Sequence, residues 1–350
     1  MNILMLFPFL TGKGGMETVL SKILKSNDDK HNFLLFLPGG CADKEWMHSF
    51  SNRVVLHNKR NRLTVLLDTV RFILKQHPDV VISMDKSQIL AAWFTKKILH
   101  QKFKLVSWNH FSILVTRFPL ALNLFKLCDY HLAISSGIQS QLQNLGISQD
   151  RIFLIYNPVD EQKRLITRSI GPAKEFLYIG RLQSRGQKNL SELITILASV
   201  RSNKWHLTVI GTGEDLESLK NQAKNKGILN RITWIGWQSD PWKYVEKADL
   251  LFLTSRYEGF GMILAEAMSY GVPCFSSNCP TGPNDIIEDG VNGSLYNLDN
   301  IDEARKKINL FFQEKIEYLS PKRIKQTITP MYTTQYLTKL GQVLDNIFNR

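Results

Sequence analysis

Cysteine is scarce in this sequence, and long apolar runs are missing altogether. Four cysteines stand among 350 residues (Cys41, Cys128, Cys274 and Cys279), with no C-x-x-C pair. That excludes a disulfide-stapled scaffold, and Cys274 and Cys279 have neither the spacing nor a nearby histidine for a zinc site. Cys128 and Cys274 lie in apolar contexts and are expected to be small core residues. With 12 Pro, 21 Gly and 43% apolar residues, the chain is neither disordered nor fibrous. Its longest apolar runs, such as 33–38 and 250–253, are a strand long, far short of the ~18–20 residues a membrane-spanning helix needs. The opening Met1-Asn2-Ile3-Leu4 lacks a basic stretch and a small-residue cleavage site, so it is expected to form a first strand of a cytoplasmic protein.

Acidic charge is the other deficit. Against 44 Lys and Arg stand 31 Asp and Glu, a net +13. Residues 1–160 carry +8 of it, and 53–104 alone holds eleven basic and three acidic side chains. Such a surplus suits a polyanionic partner, either nucleic acid or the anionic face of a membrane, or else is a solubilising surface.

A chain of 350 residues exceeds what one core usually organises, so its length favours two domains, or one large one. Strand-like runs at 2–7, 33–37, 79–84, 104–108, 130–135 and 152–155 alternate with helical periodicity at 16–24, 63–76 and 88–99. From Asn157 to Lys174 a polar stretch reads as a linker. The alternation then resumes with strands at 175–180, 206–210, 231–235, 249–254 and 272–276, and helices at 190–200 and 261–270. This pattern predicts an α/β protein of two Rossmann-like, doubly wound domains, 1–160 and 161–332, facing across a ligand cleft. The helix at about 333–348 is expected to pack back on the first domain.

Chemistry concentrates at Tyr257-Glu258-Gly259-Phe260-Gly261-Met262-Ile263, which ends a strand, turns on glycine and opens a helix. Backbone N–H groups at Gly261, Met262 and Ile263 would then be free to hold a phosphate. Glu258 and Glu266 bracket that site, and two carboxylates suit the hydroxyls of a sugar or ribose rather than the phosphate itself. The bland alternative is one loop and one surface glutamate. Arg181, after a strand, and Lys188, before a helix, would neutralise a diphosphate. Thr11-Gly12-Lys13-Gly14-Gly15 is neither G-x-G-x-x-G nor a P-loop, and reads as a tight turn or a close approach to substrate. His110 lies just past a strand, where a structural role competes with a catalytic one. Gly211-Thr212-Gly213 is a turn or a nucleotide contact. No D-x-D occurs, so metal-free neutralisation by Arg181, Lys188 and the helix dipole is expected, and no G-x-S-x-G elbow is present.

Together these residues resemble a retaining glycosyltransferase of the GT-B fold, in family 4 of the sugar-nucleotide-dependent enzymes. The likeness runs over nearly the whole chain, from Gly14-Gly15 through Gly180-Arg181 and Lys188 to the Glu258-x7-Glu266 element. Four stretches resemble the lipopolysaccharide core α-1,6-galactosyltransferases in particular. They are Ser107-Trp108-Asn109-His110-Phe111-Ser112, Cys128-Asp129-Tyr130-His131-Leu132-Ala133-Ile134-Ser135-Ser136-Gly137, Trp234-Ile235-Gly236-Trp237-Gln238 and Pro241-Trp242.

The resemblance implies roles residue by residue. Arg181 and Lys188 would hold the diphosphate of a UDP-sugar with the backbone of Gly259, Phe260, Gly261, Met262 and Ile263. Glu266 would bind the ribose and Glu258 the transferred sugar. Gly236 and Trp237 would lie by the base, Gly14 and Gly15 by diphosphate and acceptor, and His110 near the reacting carbon. No metal and no cofactor is expected, the UDP-sugar being a co-substrate. Hexose transfer, galactose first, to a lipopolysaccharide core or lipid-linked glycan is the implied activity. UDP-glucose or UDP-N-acetylglucosamine acting on exopolysaccharide, teichoic acid or glycoprotein stays open beside it. A UDP-sugar 2-epimerase lacks the Glu-x7-Glu arrangement, and a non-catalytic nucleic-acid binder has no recognisable module here. The basic stretch 53–104 then reads as a dock for an anionic membrane or phosphorylated glycan on the cytoplasmic face of an inner membrane. The apolar segment 111–127 departs from the expected pattern. It reads as a core helix or as an interfacial, lipid-facing wall by the acceptor.

Overall fold

Thirteen strands, all paired in parallel, form among the residues described by the computed structural model: 1–12, 14–26, 29–113 and 119–350. The chain divides into two units, Met1–Pro158 with Thr333–Arg350, and Val159–Tyr332. That first division falls two residues before the sequence boundary at 160.

In the first unit β1 (Asn2–Leu6), β2 (Asn32–Leu37), β3 (Val54–Leu56), β4 (Val80–Ser83), β5 (Lys104–Asn109), β6 (Tyr130–Ala133) and β7 (Ile152–Leu154) form one sheet, ordered β3-β2-β1-β4-β5-β6-β7. Every residue of β4 is buried, as a parallel strand covered on both faces requires, which is why these runs read as unbroken apolar segments. The crossovers carry α1 (Gly15–Leu24), α2 (Arg62–Gln76), α3 (Lys86–Lys97) and α4 (Ser136–Asn144). Right-handed connections put α1 on one face of the sheet and α2, α3 and α4 on the other, because the strand order reverses between β1 and β4. Helix starts follow side-chain caps: Asn61, Asp85 and Ser135 accept from Leu63, Ser87 and Ile138 N–H, each contributing about 1 kcal/mol.

The second unit orders β8 (Lys174–Ile179), β9 (Trp205–Ile210), β10 (Ile232–Gly236), β11 (Leu250–Leu253), β12 (Cys274–Asn278) and β13 (Gly293–Asn297) as β10-β9-β8-β11-β12-β13. Around this sheet lie α5 (Leu190–Ser199), α6 (Leu216–Asn225), α7 (Met262–Ser269), α8 (Pro283–Ile286), α9 (Ile301–Phe312) and α10 (Pro321–Thr327). Its core holds an aromatic series across four strands. Phe176–Phe252, Phe252–Phe275 and Phe275–Tyr296 have ring centroids 5.0, 5.3 and 5.4 Å apart. All four cysteines are buried, and burial pushes the Cys279 thiol up to about 12.

The last helix, α11 (Thr333–Asn349), belongs to the first unit. It buries Tyr336, Leu340, Val343, Leu344 and Ile347 there. Asp345 takes His31 Nε2 at 3.0 Å, and Thr333 takes Lys22 Nζ at 3.3 Å.

Two sequence expectations change. The stretch from Asn157 to Lys174 is not a free linker: Ile166 is fully buried, Thr167 bridges Lys247, and Arg168 donates to the carbonyls of Tyr318 and Leu319. Its buried residues are spaced too irregularly to register as a strand or helix. Of segment 111–127, residues 114–118 lie outside the described residues. Beyond them Pro119–Leu127 winds as a 3-10 helix against α3, with Phe125 buried beneath Lys86.

Candidate active site

The chain reverses strand order between β8 and β11, and the loops leaving those two strands meet. This is the topological switch point at which doubly wound sheets bind ligands. One loop carries Arg181 and Lys188, the other Glu258 and the start of α7.

Glycine permits the first loop's course. A Cβ on Gly211 would lie 1.9 Å from the Gly180 carbonyl oxygen, so the ends of β8 and β9 touch only because residue 211 has no side chain. The Gly211-Thr212-Gly213 motif is therefore explained by packing: Thr212 also accepts from Leu182 N–H at 2.9 Å. Tyr178 donates its hydroxyl to the Arg181 carbonyl at 2.8 Å, and the Arg181 side chain itself is exposed.

The two loops are then stitched together. Arg256 N–H donates to the Gln187 carbonyl at 2.8 Å, and the Thr254 hydroxyl reaches the carbonyls of Lys188 and Asn189 at 3.1 and 3.2 Å. Lys188 Nζ sits 2.7 Å from Glu258 Oε1, with the side chains 18% and 9% exposed. Ser255 donates to the same Oε1 at 2.6 Å, and Thr281 donates its hydroxyl to the Glu258 backbone carbonyl.

Behind Lys188 stands a second buried carboxylate. Asn189 adopts a left-handed conformation (φ 49°) and donates from Nδ2 to Glu192 at 2.7 Å, while Tyr296 donates to the other Glu192 oxygen at 2.6 Å. Burial, and next the Glu192 charge, raise the Tyr296 hydroxyl well above its ordinary range. Sequence reasoning missed Glu192, Tyr296, Ser255 and Thr281. Only the inward helical phase of Glu192 signalled a role, because the other three are ordinary strand and loop residues.

Gly261 precedes α7 at φ +91°, a region that favours glycine. Gly259, Phe260 and Gly261 are buried, whereas Met262, Ile263 and Glu266 are half-buried and share one face of the helix. Glu266 thus lies along the side of α7 whose first-turn N–H groups lack intrahelical partners. Gly236 ends β10 at φ +83°, followed by Trp237, 61% exposed.

The remaining sequence-predicted residues are in the first unit. His110 follows β5, its ring 4.4 Å from that of Trp108. Among the described residues its Nε2 and Trp108 Nε1 are buried without a hydrogen-bond partner. Burial lowers the imidazole to about 3, so it is neutral at ordinary pH. Gly14 and Gly15 lead into α1 after β1, at that sheet's own switch point. Glu17, where a further glycine would stand, folds back on this loop and accepts from Thr11 Oγ1 at 3.0 Å and Gly12 N–H at 2.9 Å. Lys13 lies outside the described residues. The structure therefore brings Lys188, Glu258 and the α7 start together on one unit; His110 lies after β5 and Gly14 and Gly15 after β1 on the other.

Chemically, the second unit offers cations and helix N–H groups suited to phosphate, beside carboxylates suited to hydroxyls. The first offers a neutral imidazole with unused hydrogen-bonding capacity.

Comparison with known proteins gives the family and the fold. Residues 159–328 match the model of the group 1 glycosyl transferases, and 13–163 that of glycosyltransferase family 4. The lipopolysaccharide 1,6-galactosyltransferase of Escherichia coli K12 is 33% identical over 100% of this chain and 99% of its own. Its Salmonella typhimurium counterpart is 36% identical over 91% of each. Among solved structures, a ligand-free lipopolysaccharide outer core galactosyltransferase, WaaB, superposes with a TM-score of 0.89 at 33% identity over 99% of both chains. HepE of Anabaena, solved with UDP, shares the fold at TM-score 0.83 and 20% identity, over 99% of this chain and 100% of its own. The architecture is GT-B: two Rossmann-like units, with seven and six strands.

Proposed function

The chain belongs to the group 1, family 4 glycosyltransferases, and from that premise we propose that it moves galactose from UDP-galactose to a lipopolysaccharide core, with retention of configuration. The acceptor is then a glycan presented at the cytoplasmic face of an inner membrane, whose anionic surface the protein meets. The observation that carries this reading is the 2.7 Å Lys188–Glu258 pair at the second unit's switch point.

Donor binding exchanges that pair for substrate. The diphosphate replaces Glu258 as the counter-ion of Lys188, with Arg181 and the N–H groups of Gly261, Met262 and Ile263 completing its neutralisation. Glu258, released and still held by Ser255, takes hydroxyls of the transferred sugar; Glu266 takes the ribose, and Trp237 covers the base beside Gly236. Gly14 and Gly15 give backbone access to diphosphate and acceptor. His110, neutral, offers Nε2 to a sugar hydroxyl near the reacting carbon.

As the glycosidic bond breaks, charge gathers on the β-phosphate. Lys188, Arg181 and the helix start stabilise it, and the departing phosphate oxygen takes the acceptor proton on the same face. Excluding water protects the donor from hydrolysis. The reaction needs no cofactor beyond its co-substrate.

The test is turnover of a panel of UDP-, GDP- and ADP-sugars by the purified protein, with and without chelator, on lipopolysaccharide core lacking the residue. UDP-galactose is expected to be used first, chelator to be without effect, and the product to be the α-anomer. A GDP-sugar preference, an inverted product, or full activity in both Lys188→Ala and Glu258→Ala overturns the assignment.

A further inference from the structure

We propose that the loop 279–282 after β12, with Ser277 just before it, is a positioning element for the reaction: it clamps the turn that carries Glu258 and so aims that carboxylate at the transferred sugar. The proposal rests on the assignment of Glu258 to the sugar and of Lys188 with the α7 start to the diphosphate.

The ladder between β11 and β12 runs only as far as Leu253 and Ser276. Beyond it the chain turns through Ser255, Glu258 and Phe260, which are buried, so their backbone carbonyls must be met in some other way. The next strand and its loop meet them. Ser277 donates its hydroxyl to the Ser255 carbonyl at 2.6 Å, and Thr281 donates its hydroxyl to the Glu258 carbonyl. A Cβ on Gly282 would lie 2.3 Å from the Phe260 carbonyl oxygen, so there backbone packs directly on backbone. Positions 255, 258 and 260 are thus met in order by 277, 281 and 282, and all six are buried.

The clamp matters because of what the donor takes away. Glu258 Oε1 is held from two sides, by Lys188 Nζ at 2.7 Å and by the Ser255 hydroxyl at 2.6 Å. A diphosphate that claims Lys188 leaves Ser255 to hold the carboxylate. Ser255 is only as fixed as its own backbone, which Ser277 pins, while Thr281 pins the backbone of Glu258 itself. Valine and alanine would fill the same space; hydroxyls aimed at two carbonyls fix the course of the turn as well. The precision is worth having, since a misplacement of about 1 Å can cost a reaction roughly 10²-fold. Cys279 lies inside the clamp and reports on it. Its buried thiol donates towards the Thr281 carbonyl at 3.6 Å, and burial first, then the Glu258 charge, push it up to about 12.

Thr281→Val keeps the shape and removes the hydroxyl, whereas Thr281→Ser keeps the hydroxyl. In Thr281→Val the kcat for UDP-sugar is expected to fall about tenfold. UDP affinity by calorimetry is expected to stay at the wild-type value, because the diphosphate contacts lie on Lys188, Arg181 and α7. Thr281→Ser should restore kcat, and Ser277→Ala should repeat the split if Thr281→Val does not yield folded protein. A readout that needs no donor is labelling of Cys279 by a thiol-reactive disulfide, located by mass spectrometry. Slow in the wild type, it should quicken about tenfold or more in Thr281→Val as the clamp loosens. UDP affinity falling together with kcat, unchanged kcat in both Thr281→Val and Ser277→Ala, failure of Thr281→Ser to restore it, or unchanged Cys279 labelling overturns the proposal. A wild-type chain that binds no UDP overturns the donor assignment, and this proposal with it, before any variant is compared.

Discussion

The two units hold their functional side chains in opposite ways. In the second, Lys188, Asn189, Glu192 and Glu258 are each met by a charged or hydrogen-bonding partner, and the loops after β8 and β11 are tied backbone to side chain. In the first, His110 and Trp108 bury ring nitrogens with no partner among the described residues. At the second unit's site these side chains are satisfied before anything binds. At His110 and Trp108 the first unit carries unmet hydrogen-bonding capacity, which costs stability. In the proposed reaction, donor recognition is a swap of counter-ions, whereas recognition at the first unit adds bonds.

The contrast breaks first at the ion pair. Glu258→Ala or Lys188→Ala should lower kcat/KM by roughly 10²–10³, as loss of a transition-state contact does. Steady-state kinetics check it, and retention of near-full activity would end the site assignment. Next comes the support behind it. Glu192→Ala removes the acceptor that the Tyr296 hydroxyl and Asn189 Nδ2 share, which should cost about 1–3 kcal/mol by denaturant titration and raise KM for the donor several-fold with little change in kcat. The first unit should answer the other way: His110→Phe is expected to cut kcat about tenfold while leaving stability unchanged or higher, since a buried unpaired nitrogen goes.

The smallest effect is on pH. Burial lowers His110 and His131 to about 3, so between pH 3 and about 6.5 the unfolded chain binds protons that the fold refuses. Their contribution therefore makes stability fall as pH drops through that window, with the first unit affected. His110→Phe should flatten the fall in scanning calorimetry, and the rate profile should show no imidazole inflection near 6.5.

Much of this was legible beforehand. Buried parallel strands such as Val80–Ser83 and Leu250–Leu253 announce themselves as apolar runs, and the helix expected at 261–270 forms as α7, Met262–Ser269. The short β3 was not visible, because three half-buried residues carry no pattern. The Glu258-x7-Glu266 spacing and the Arg181–Lys188 loop pointed to phosphate beside hydroxyls. What the residues alone could not convey was that Lys188 and Glu258 bond to each other, or that Glu192 ties Asn189, the neighbour of Lys188, to Tyr296. Both depend on contacts between positions 70 and 104 residues apart.

Helix α11 has a consequence for biogenesis. The first sheet emerges from the ribosome early, yet the helix that completes its unit by burying Tyr336, Leu340 and Leu344 is made after the whole of Val159–Tyr332. At about 5–20 residues per second those 174 residues take roughly 9–35 s. For that interval the nascent first unit shows an uncovered apolar seat, which makes it a natural client for a chaperone. Synonymous slowing of codons in the intervening stretch should lengthen that vulnerability without altering one residue of the finished enzyme.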